Sequence, residues 1–275
     1  MKASSCLPVL TLLLAAALPA HAETPAAIKA KGEIVVAVVP NYPPFEFKDP
    51  ATDKLSGFDV ELGEAIAAKL GVKLHWQETG FAEMISALST GRVDMILSGM
   101  TDRADRRDQV TFVDYVKSGP QFYTTVAHGA DFKDMLALCG KSVGTSRRTS
   151  FPTEIAAWSD AHCTPAGKPA ITVVGTEGSA DARTQLRQGR FDVAMQGSET
   201  LPYMMSLEPG VYAPIGSAIA FQYTGIGIAK ADKPLQDAVE AAFQQTIADG
   251  TYAKILAKWQ LEDIAVAKAT INAGE

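Results

Sequence analysis

The sequence predicts an α/β protein built from two similar lobes. Within its 275 residues, the stretch LSTGRVDMILSGMT at 88–101 returns 98 positions later as LRQGRFDVAMQGSET at 186–200. Each copy ends a series in which apolar, strand-like runs alternate with amphipathic, helix-like runs. This order produces a parallel sheet with helical crossovers. Two such series in one chain indicate two lobes of related architecture.

A secretory signal peptide is predicted over residues 1–22. Lys2 precedes the apolar run VLTLLLAAAL, and small residues lead up to Ala22, as in a cleavable export signal. The run is too short for a membrane helix, which needs about 20 apolar residues. We therefore expect an exported, soluble protein whose mature chain begins near Glu23.

The net charge and the cysteine content indicate which kinds of partner and which bonds to expect. The net charge of −6 becomes −7 when Lys2 is removed, which argues against nucleic acid or an anionic membrane as partner. In an oxidising compartment the pair Cys139 and Cys163 favours a disulfide, and two buried thiols are the alternative. The histidines form no metal-spaced cluster, so we expect neither a metal nor a cofactor.

The first series predicts a βαβαβ unit. EIVVAVVP is a continuous apolar run ending at Pro40, typical of a strand buried on both faces. GFDVELGEAIAAKLG predicts a helix that Asp59 caps and Gly71 closes. VKLHWQE and VDMILSG predict strands, and FAEMISALSTG between them predicts a helix ending at Gly91.

The second series repeats this order. Strands are predicted at KSVGTS, ITVVGT and FDVAMQG, and helices at SFPTEIAAWSDAH and SADARTQLRQG. Because ligands bind at the carboxyl ends of strands in open parallel sheets, SGMT and QGSET should face each other across a cleft. The alternative is that the repeated Gly-Arg-apolar-Asp pattern is only a common helix-to-strand turn.

Five ordered motifs carry a resemblance to a known family. NYPPFEF, GFDVELGEAIAAKL, SGMTDRADRR, GKSVG and DGTYAKILAKW resemble segments of the bacterial extracellular solute-binding proteins of family 3, the periplasmic receptors of polar amino-acid ABC importers. The resemblance covers nearly the whole mature chain. It implies a periplasmic monomer with the two-lobed type II binding-protein fold, which closes on its ligand by a hinge motion and meets ABC permease subunits at the inner membrane.

The same resemblance implies the lobe boundaries. Lobe 1 would comprise residues 23–117 and the returning segment 223–275, and lobe 2 would comprise residues 118–222. The chain would cross between the lobes near YVKSG and again near FQYTG. Helices around Ala238 and Trp259 would pack back on lobe 1.

Arg106 is the main candidate for ligand binding. A guanidinium can hold a carboxylate through two parallel hydrogen bonds, and the resemblance aligns Arg106 with the arginine that binds an amino acid's α-carboxylate. On sequence alone DRADRR resembles a solvated charge cluster, and Arg103 and Arg107 are interpreted as surface residues. The other positions that the resemblance assigns to the ligand are Ser98, Gly99, Thr101, Tyr42, Phe81, Thr149 and Ser150.

Lobe 2 departs from the family at two positions. Where relatives have an Asp for the ligand's ammonium, this chain has Gly197, and Glu199 or Gln196 could replace it. Arg148 stands where many relatives have Gly. An added Arg and a missing Asp favour a dicarboxylate, an acidic amino acid or another organic anion, because a buried charge needs a partner. The expected ligand is an amino acid or a related small carboxylate.

An enzymatic alternative comes from the same family. Periplasmic cyclohexadienyl dehydratases, which act on prephenate or arogenate, share the architecture and need a carboxylic acid in the cleft. Glu199 is the one residue that suggests this role. The chain contains no G-x-S-x-G elbow and no Gly-rich phosphate loop, so we expect a binding protein without catalytic residues.

Overall fold

A computed structural model describes residues 25–274, so the predicted signal peptide and its cleavage site lie outside the described residues. The α-helices of this part are Ala26–Lys31 (α1), Phe58–Leu70 (α2), Met84–Ser89 (α3), Phe151–His162 (α4), Ser179–Arg187 (α5), Thr200–Leu207 (α6), Lys233–Ala248 (α7) and Thr251–Trp259 (α8). Between residues 25 and 274, no helix is both long and apolar enough to cross a lipid bilayer.

The strands alternate with these helices as the sequence predicts. They are Glu33–Val38 (β1), Asn41–Tyr42 (β2), Glu46–Lys48 (β3), Leu55–Ser56 (β4), Lys73–Glu78 (β5), Met95–Ile96 (β6), Val110–Ser118 (β7), Pro120–Thr125 (β8), Ser142–Ser146 (β9), Thr172–Thr176 (β10), Val193–Gly197 (β11), Tyr212–Ile215 (β12), Gln222–Ala229 (β13) and Ala265–Ile271 (β14).

Two large sheets contain most of the strands. One has the order β14-β7-β13-β6-β1-β5 and the other β10-β9-β11-β8-β12, while β2, β3 and β4 form a small third sheet. Strand β1 pairs in parallel with β5 and β6, and β9 pairs in parallel with β10 and β11. The strands next to the two crossings between the sheets pair antiparallel: β13 pairs with β7, and β8 pairs with β11. Both sheets are therefore mixed.

The start of helix α2 corrects one prediction. Its N-cap residue is Gly57, with φ of 134°, and a Cβ there would lie 2.1 Å from the carbonyl oxygen of Phe45. Asp59 lies inside the first turn, where it is fully buried and caps nothing. The close backbone approach requires glycine at the cap. At the other end Gly71 closes the helix in a left-handed conformation, as predicted.

Each large sheet has its own hydrophobic core. Ala238 of α7 and Leu62 of α2 belong to one buried cluster, and Trp259 packs against it, so the last two helices cover the first sheet as predicted. Val143 and Trp158 belong to a separate cluster on the second sheet. Separate cores let the two sheets behave as two bodies that can move relative to each other.

Cys139 and Cys163 form a disulfide on the second sheet's side, across 24 positions of sequence. Closing a loop of this length stabilises the native state by about 3 kcal/mol in the chain-entropy description. The double variant Cys139→Ser/Cys163→Ser should lose about this free energy of unfolding in urea denaturation. Ligand affinity should change little, because neither cysteine lines the cavity described below. Two free thiols titrated in the exported wild-type protein would contradict the bridge.

Candidate functional site

A cavity of about 400 Å³ lies between the two large sheets, within the size range of small-molecule sites. Its walls come from the segments that follow the carboxyl ends of the parallel strands, as the topology rule predicts. The lining residues on the first sheet's side lie within the ranges 39–46, 80–83, 98–101 and at 106, and those on the second sheet's side are 146–151, 177–179 and 196.

Ten of the eleven predicted ligand-binding residues line this cavity. Glu199 is the exception, since it lines an adjoining space of about 20 Å³ together with Tyr42 and Ser118. The ten residues in the main cavity are Tyr42, Phe81, Ser98, Gly99, Thr101, Arg106, Arg148, Thr149, Ser150 and Gln196.

Arg106 presents a partly buried cation to the cavity. Its Nη1 donates a hydrogen bond of 2.8 Å to the carbonyl oxygen of Thr101, and its guanidinium carbon lies 5.8 Å from the centroid of the Phe81 ring. Burial lowers the pKa of Arg106 to about 10, which still leaves it charged at neutral pH. The ion pairs formed within residues 25–274 include its neighbours Arg103 and Arg107 but not Arg106 itself. The arrangement suits an anionic ligand group.

Arg107 is partly exposed and pairs with a buried carboxylate. Its Nε and Nη2 donate hydrogen bonds of 2.7 and 2.8 Å to the two carboxylate oxygens of Asp102, a residue that is only 1% exposed. The Arg107 side chain is 23% exposed, so the predicted surface position is compatible with the structure, but the prediction did not include the buried partner. Arg103 pairs instead with the exposed Asp105 at 2.9 Å.

Glu199 occupies the space that a side chain at position 197 would need. A Cβ on Gly197 would lie 1.8 Å from Oε1 of Glu199 and 2.5 Å from the hydroxyl oxygen of Tyr42. That hydroxyl donates a hydrogen bond of 2.6 Å to the same Oε1. Because Gly197 has no side chain, the carboxyl group from position 199 folds back over it.

Two buried acceptor atoms beside Gly197 have no donor within residues 25–274. They are Oε1 of Gln196 and Oε2 of Glu199, from side chains in residues that are 2% and 6% exposed. A buried acceptor without a partner costs about 1 to 3 kcal/mol. Burial raises the pKa of Glu199, and the hydrogen bond from Tyr42 opposes that shift. Both acceptors suit a ligand group that is rich in donors or positively charged.

A pair of buried carboxyl groups supports the floor of the cavity. Glu46 Oε1 accepts a hydrogen bond of 2.7 Å from the Ser98 hydroxyl, and Asp59 Oδ2 accepts from the Gly99 N–H at 3.0 Å and the Tyr115 hydroxyl at 2.9 Å. Burial raises the pKa of both acids, that of Asp59 to about 7, and the Asp59 charge adds to the rise for Glu46. The remaining oxygens, Glu46 Oε2 and Asp59 Oδ1, have no donor within residues 25–274, so we expect the pair to retain a proton near neutral pH. The hydrogen bonds that the two acids accept hold the cavity-lining Ser98 and Gly99 in place.

The raised pKa values of these two acids predict the pH dependence of stability. A carboxyl whose pKa is raised by folding holds its proton more tightly in the native state. The free energy of unfolding should therefore decrease as pH rises from about 4, the unfolded value, through about 7, the folded value of Asp59. Glu46→Gln keeps a donor at every pH and should make this decrease smaller, measured by urea denaturation at about pH 5 and about pH 8. The exposed Glu64→Gln is the control, and an unchanged decrease in Glu46→Gln would count against a proton retained by the Glu46 and Asp59 pair.

The two sheets also touch beside the cavity. The Ser179 hydroxyl donates a hydrogen bond of 2.8 Å to the carbonyl oxygen of Asn41, and the rings of Phe47 and Tyr203 lie 5.5 Å apart between centroids. Together with the Tyr42 to Glu199 bond, these contacts describe a closed cleft. The sequence predicted the facing segments but not these particular contacts, because they join residues distant along the chain.

Comparison with known proteins decides the family. The sequence profile of the bacterial extracellular solute-binding proteins, family 3, matches residues 34–262. The chain belongs to this family. The resemblance and the two-lobed, type II fold that it implied are thereby confirmed, and the protein is a solute-binding protein.

Individual relatives agree with the family assignment. The arginine-binding protein ArgT of Corynebacterium glutamicum is 29% identical over 252 residues, covering 92% of this chain and 82% of ArgT. An ancestral arginine-binding protein bound to glutamine has a TM-score of 0.75 at 28% identity, covering 84% of this chain and 99% of that chain. The ancestral amino acid-binding protein AncCDT-1, a precursor of cyclohexadienyl dehydratase, has a TM-score of 0.72 at 28% identity, covering 85% and 97%.

Proposed function

We propose that this solute-binding protein captures an α-amino acid in the periplasm and delivers it to an ABC importer. The observation that carries the proposal is a guanidinium on one wall of the cavity and a carboxyl group just beside the opposite wall. The first sheet contributes the guanidinium of Arg106, which no carboxylate of the described chain pairs with. The second sheet contributes the Glu199 carboxyl group, which keeps one oxygen without a donor. An amino acid carries the complementary charges within one small molecule.

The α-carboxylate lies on Arg106 in this proposal. A guanidinium binds a carboxylate through two parallel hydrogen bonds, and Arg106 has Nη1 anchored on a backbone carbonyl, which fixes its direction. Thr101 lies on the first sheet's side of the cavity and Ser150 on the second sheet's side. Their hydroxyl oxygens approach each other to 3.5 Å. They are suited to bind the carboxylate from either lobe.

The α-ammonium lies near Glu199 and Gln196. Glu199 takes the place of the absent Asp at 197 because its carboxyl group fills the volume of that missing side chain. An ammonium group supplies the donors that Oε2 of Glu199 and Oε1 of Gln196 do not find within the described chain. For this reason we favour an amino acid over an anion that lacks an amine. Arginine is the first ligand to test, because the relative ArgT is named as an arginine-binding protein.

Lobe closure follows from binding at both walls. We infer lobe 1 as residues 23–117 and 223–275 and lobe 2 as residues 118–222, supported by the strands β7 and β13, which end and begin at this division. A ligand that touches Arg106 on one lobe and Glu199 on the other binds the closed form better, and this differential affinity drives closure. We propose that the closed monomer is the form that permease subunits bind.

A thermal-shift screen of the exported protein tests this proposal. The panel contains the twenty standard L-amino acids together with small organic acids that lack an amine. A ligand that binds only the native state raises the melting temperature by mass action, so at least one amino acid should raise it by several degrees. Shifts produced only by the acids without an amine would contradict the proposal.

A dehydratase of the cyclohexadienyl type is the second candidate function. Burial raises the pKa of Glu199, as in carboxylic acids that donate protons in catalytic clefts, and AncCDT-1 is among the structural neighbours. Incubation with prephenate and arogenate, followed by product absorbance, tests this activity. Product formation that disappears in Glu199→Gln would establish the enzyme, whereas binding of an amino acid without turnover supports the transport receptor.

A further inference from the structure

The tail segment, residues 272–274, follows β14 and is fixed to strand β7. The Asn272 N–H donates to the carbonyl oxygen of Phe112 at 3.0 Å, and its Oδ1 accepts from the Phe112 N–H at 2.8 Å. The next N–H along the chain donates to Asp114 Oδ2 at 2.8 Å. These bonds hold the tail segment in one register beside the strand.

The tail segment also closes a ring of hydrogen bonds with the Arg106 loop, residues 102–107. The Gly274 N–H donates to Asp102 Oδ2 at 2.8 Å, and the Gly274 carbonyl oxygen accepts from Arg107 Nη2 at 2.5 Å. Arg107 in turn holds both oxygens of Asp102. A Cβ on Gly274 would lie 2.3 Å from the Asp102 carbonyl oxygen, so the ring forms only with glycine at this position.

The ring of hydrogen bonds holds both ends of the loop that contains Arg106, at Asp102 and at Arg107. Asp102 directly follows Thr101, whose carbonyl oxygen anchors the Arg106 guanidinium at 2.8 Å. Arg107 directly follows Arg106. On its other side, the Asp102 N–H donates to the carbonyl oxygen of Tyr223 in β13 at 2.9 Å. The loop is therefore held between the tail segment and β13.

We propose that the tail segment positions Arg106 for the ligand, so that affinity depends on residues that touch no ligand. Asp102, Arg107 and Gly274 are the positioning residues, and none of them lines the cavity. The physical reason is that a bidentate grip requires the guanidinium to be held within a fraction of an ångström of its productive place. The inference rests on the proposed role of Arg106 in binding the carboxylate.

A double-mutant cycle separates positioning from general stability. The probe is the standard L-amino acid that gives the largest thermal shift in the wild type, and affinities are measured by calorimetry. Gly274→Ala and Arg107→Ala should each weaken binding about tenfold. In an Arg106→Ala background Gly274→Ala should weaken binding less than about twofold, because the group being positioned is gone. Arg103→Ala, on the same loop but outside the ring, is the control.

Hydrogen exchange of the ligand-free protein makes the inference testable apart from the proposed function. The amides of the Arg106 loop should exchange faster in Gly274→Ala than in the wild type, and amides on the second sheet should not change. Unchanged exchange in the loop, or equal losses of affinity with and without Arg106, would overturn the positioning role. If no amino acid binds the wild type while loop exchange does increase, the proposed function fails and the structural link survives.

Discussion

Replacing Arg106 by alanine should weaken amino-acid binding by about 2 to 4 kcal/mol, or about 30- to 1000-fold in affinity. The guanidinium is partly buried, remains charged and has only the Thr101 carbonyl oxygen as a hydrogen-bond partner within the described chain. Without it the ligand carboxylate would lose the cation assigned to it while remaining in a partly desolvated site, which is costly. Isothermal titration calorimetry of the wild type and the variant measures the loss.

Arg103→Ala is the matched control for this substitution. Arg103 lies three positions away and pairs with the exposed Asp105, so its removal should change affinity by less than about threefold. Wild-type affinity in Arg106→Ala would refute the carboxylate role. So would equal losses in both variants, because these would point to disturbance of the loop rather than to loss of one ligand contact.

The second large effect is expected at positions 197 and 199. Glu199→Ala should weaken amino-acid binding by about 2 to 4 kcal/mol, since it removes the carboxyl group assigned to the ammonium. Gly197→Asp alone should also weaken binding, because its side chain would collide with Glu199 Oε1, which lies 1.8 Å from the Cβ position. The combination Gly197→Asp/Glu199→Ala should bind better than Glu199→Ala, because it returns one carboxylate to the same place.

The prediction is specific because it ranks the variants: the combined variant Gly197→Asp/Glu199→Ala should bind the amino acid more weakly than the wild type but more tightly than Glu199→Ala. Glu83→Ala is the control, since Glu83 lines the cavity but has no assigned contact with the ligand's charged groups. Undiminished binding in Glu199→Ala, or a combined variant no better than Glu199→Ala, would show that Gly197 and Glu199 are not a compensating pair.

The fold could be predicted because its signals are local. Buried strands such as EIVVAVVP and helices such as GFDVELGEAIAAKLG carry their own periodicity. The topology rule then places the strand ends, and with them SGMT and QGSET, on one cleft. The order of strands in each sheet and the antiparallel pairing of β7 with β13 could not be predicted from the sequence, because the paired strands lie far apart along the chain.

The site was less predictable where partners come from distant segments. Asp59 has the sequence context of a helix cap, and its actual partners Gly99 and Tyr115 carry no pattern that reveals them. Glu46 was missed altogether, and its one signal was a charged residue between two phenylalanines. The contacts of Arg107 were not predicted, because Gly274, which completes them, lies 167 positions away.

The position of the Glu199 carboxyl group over Gly197 needed the structure as well. The sequence left Glu199 and Gln196 as equal replacements. The backbone turn after β11 brings the Glu199 carboxyl group over Gly197 and against Tyr42. Gln196 Oε1 and Glu199 Oε2 both remain without donors in the described chain, which under the proposed function favours one ammonium group shared between them.

The central claim is that one ligand is held at both of its charged ends. Calorimetric titration with three matched compounds tests it most directly: the best L-amino acid of the screen, its α-hydroxy acid analogue without the amine, and its amide without the free carboxylate. We predict that the amino acid binds and that each analogue binds at least about 30-fold more weakly. Equal affinity of the α-hydroxy acid and the amino acid would contradict the role of Glu199 and the account of the protein as an amino-acid receptor.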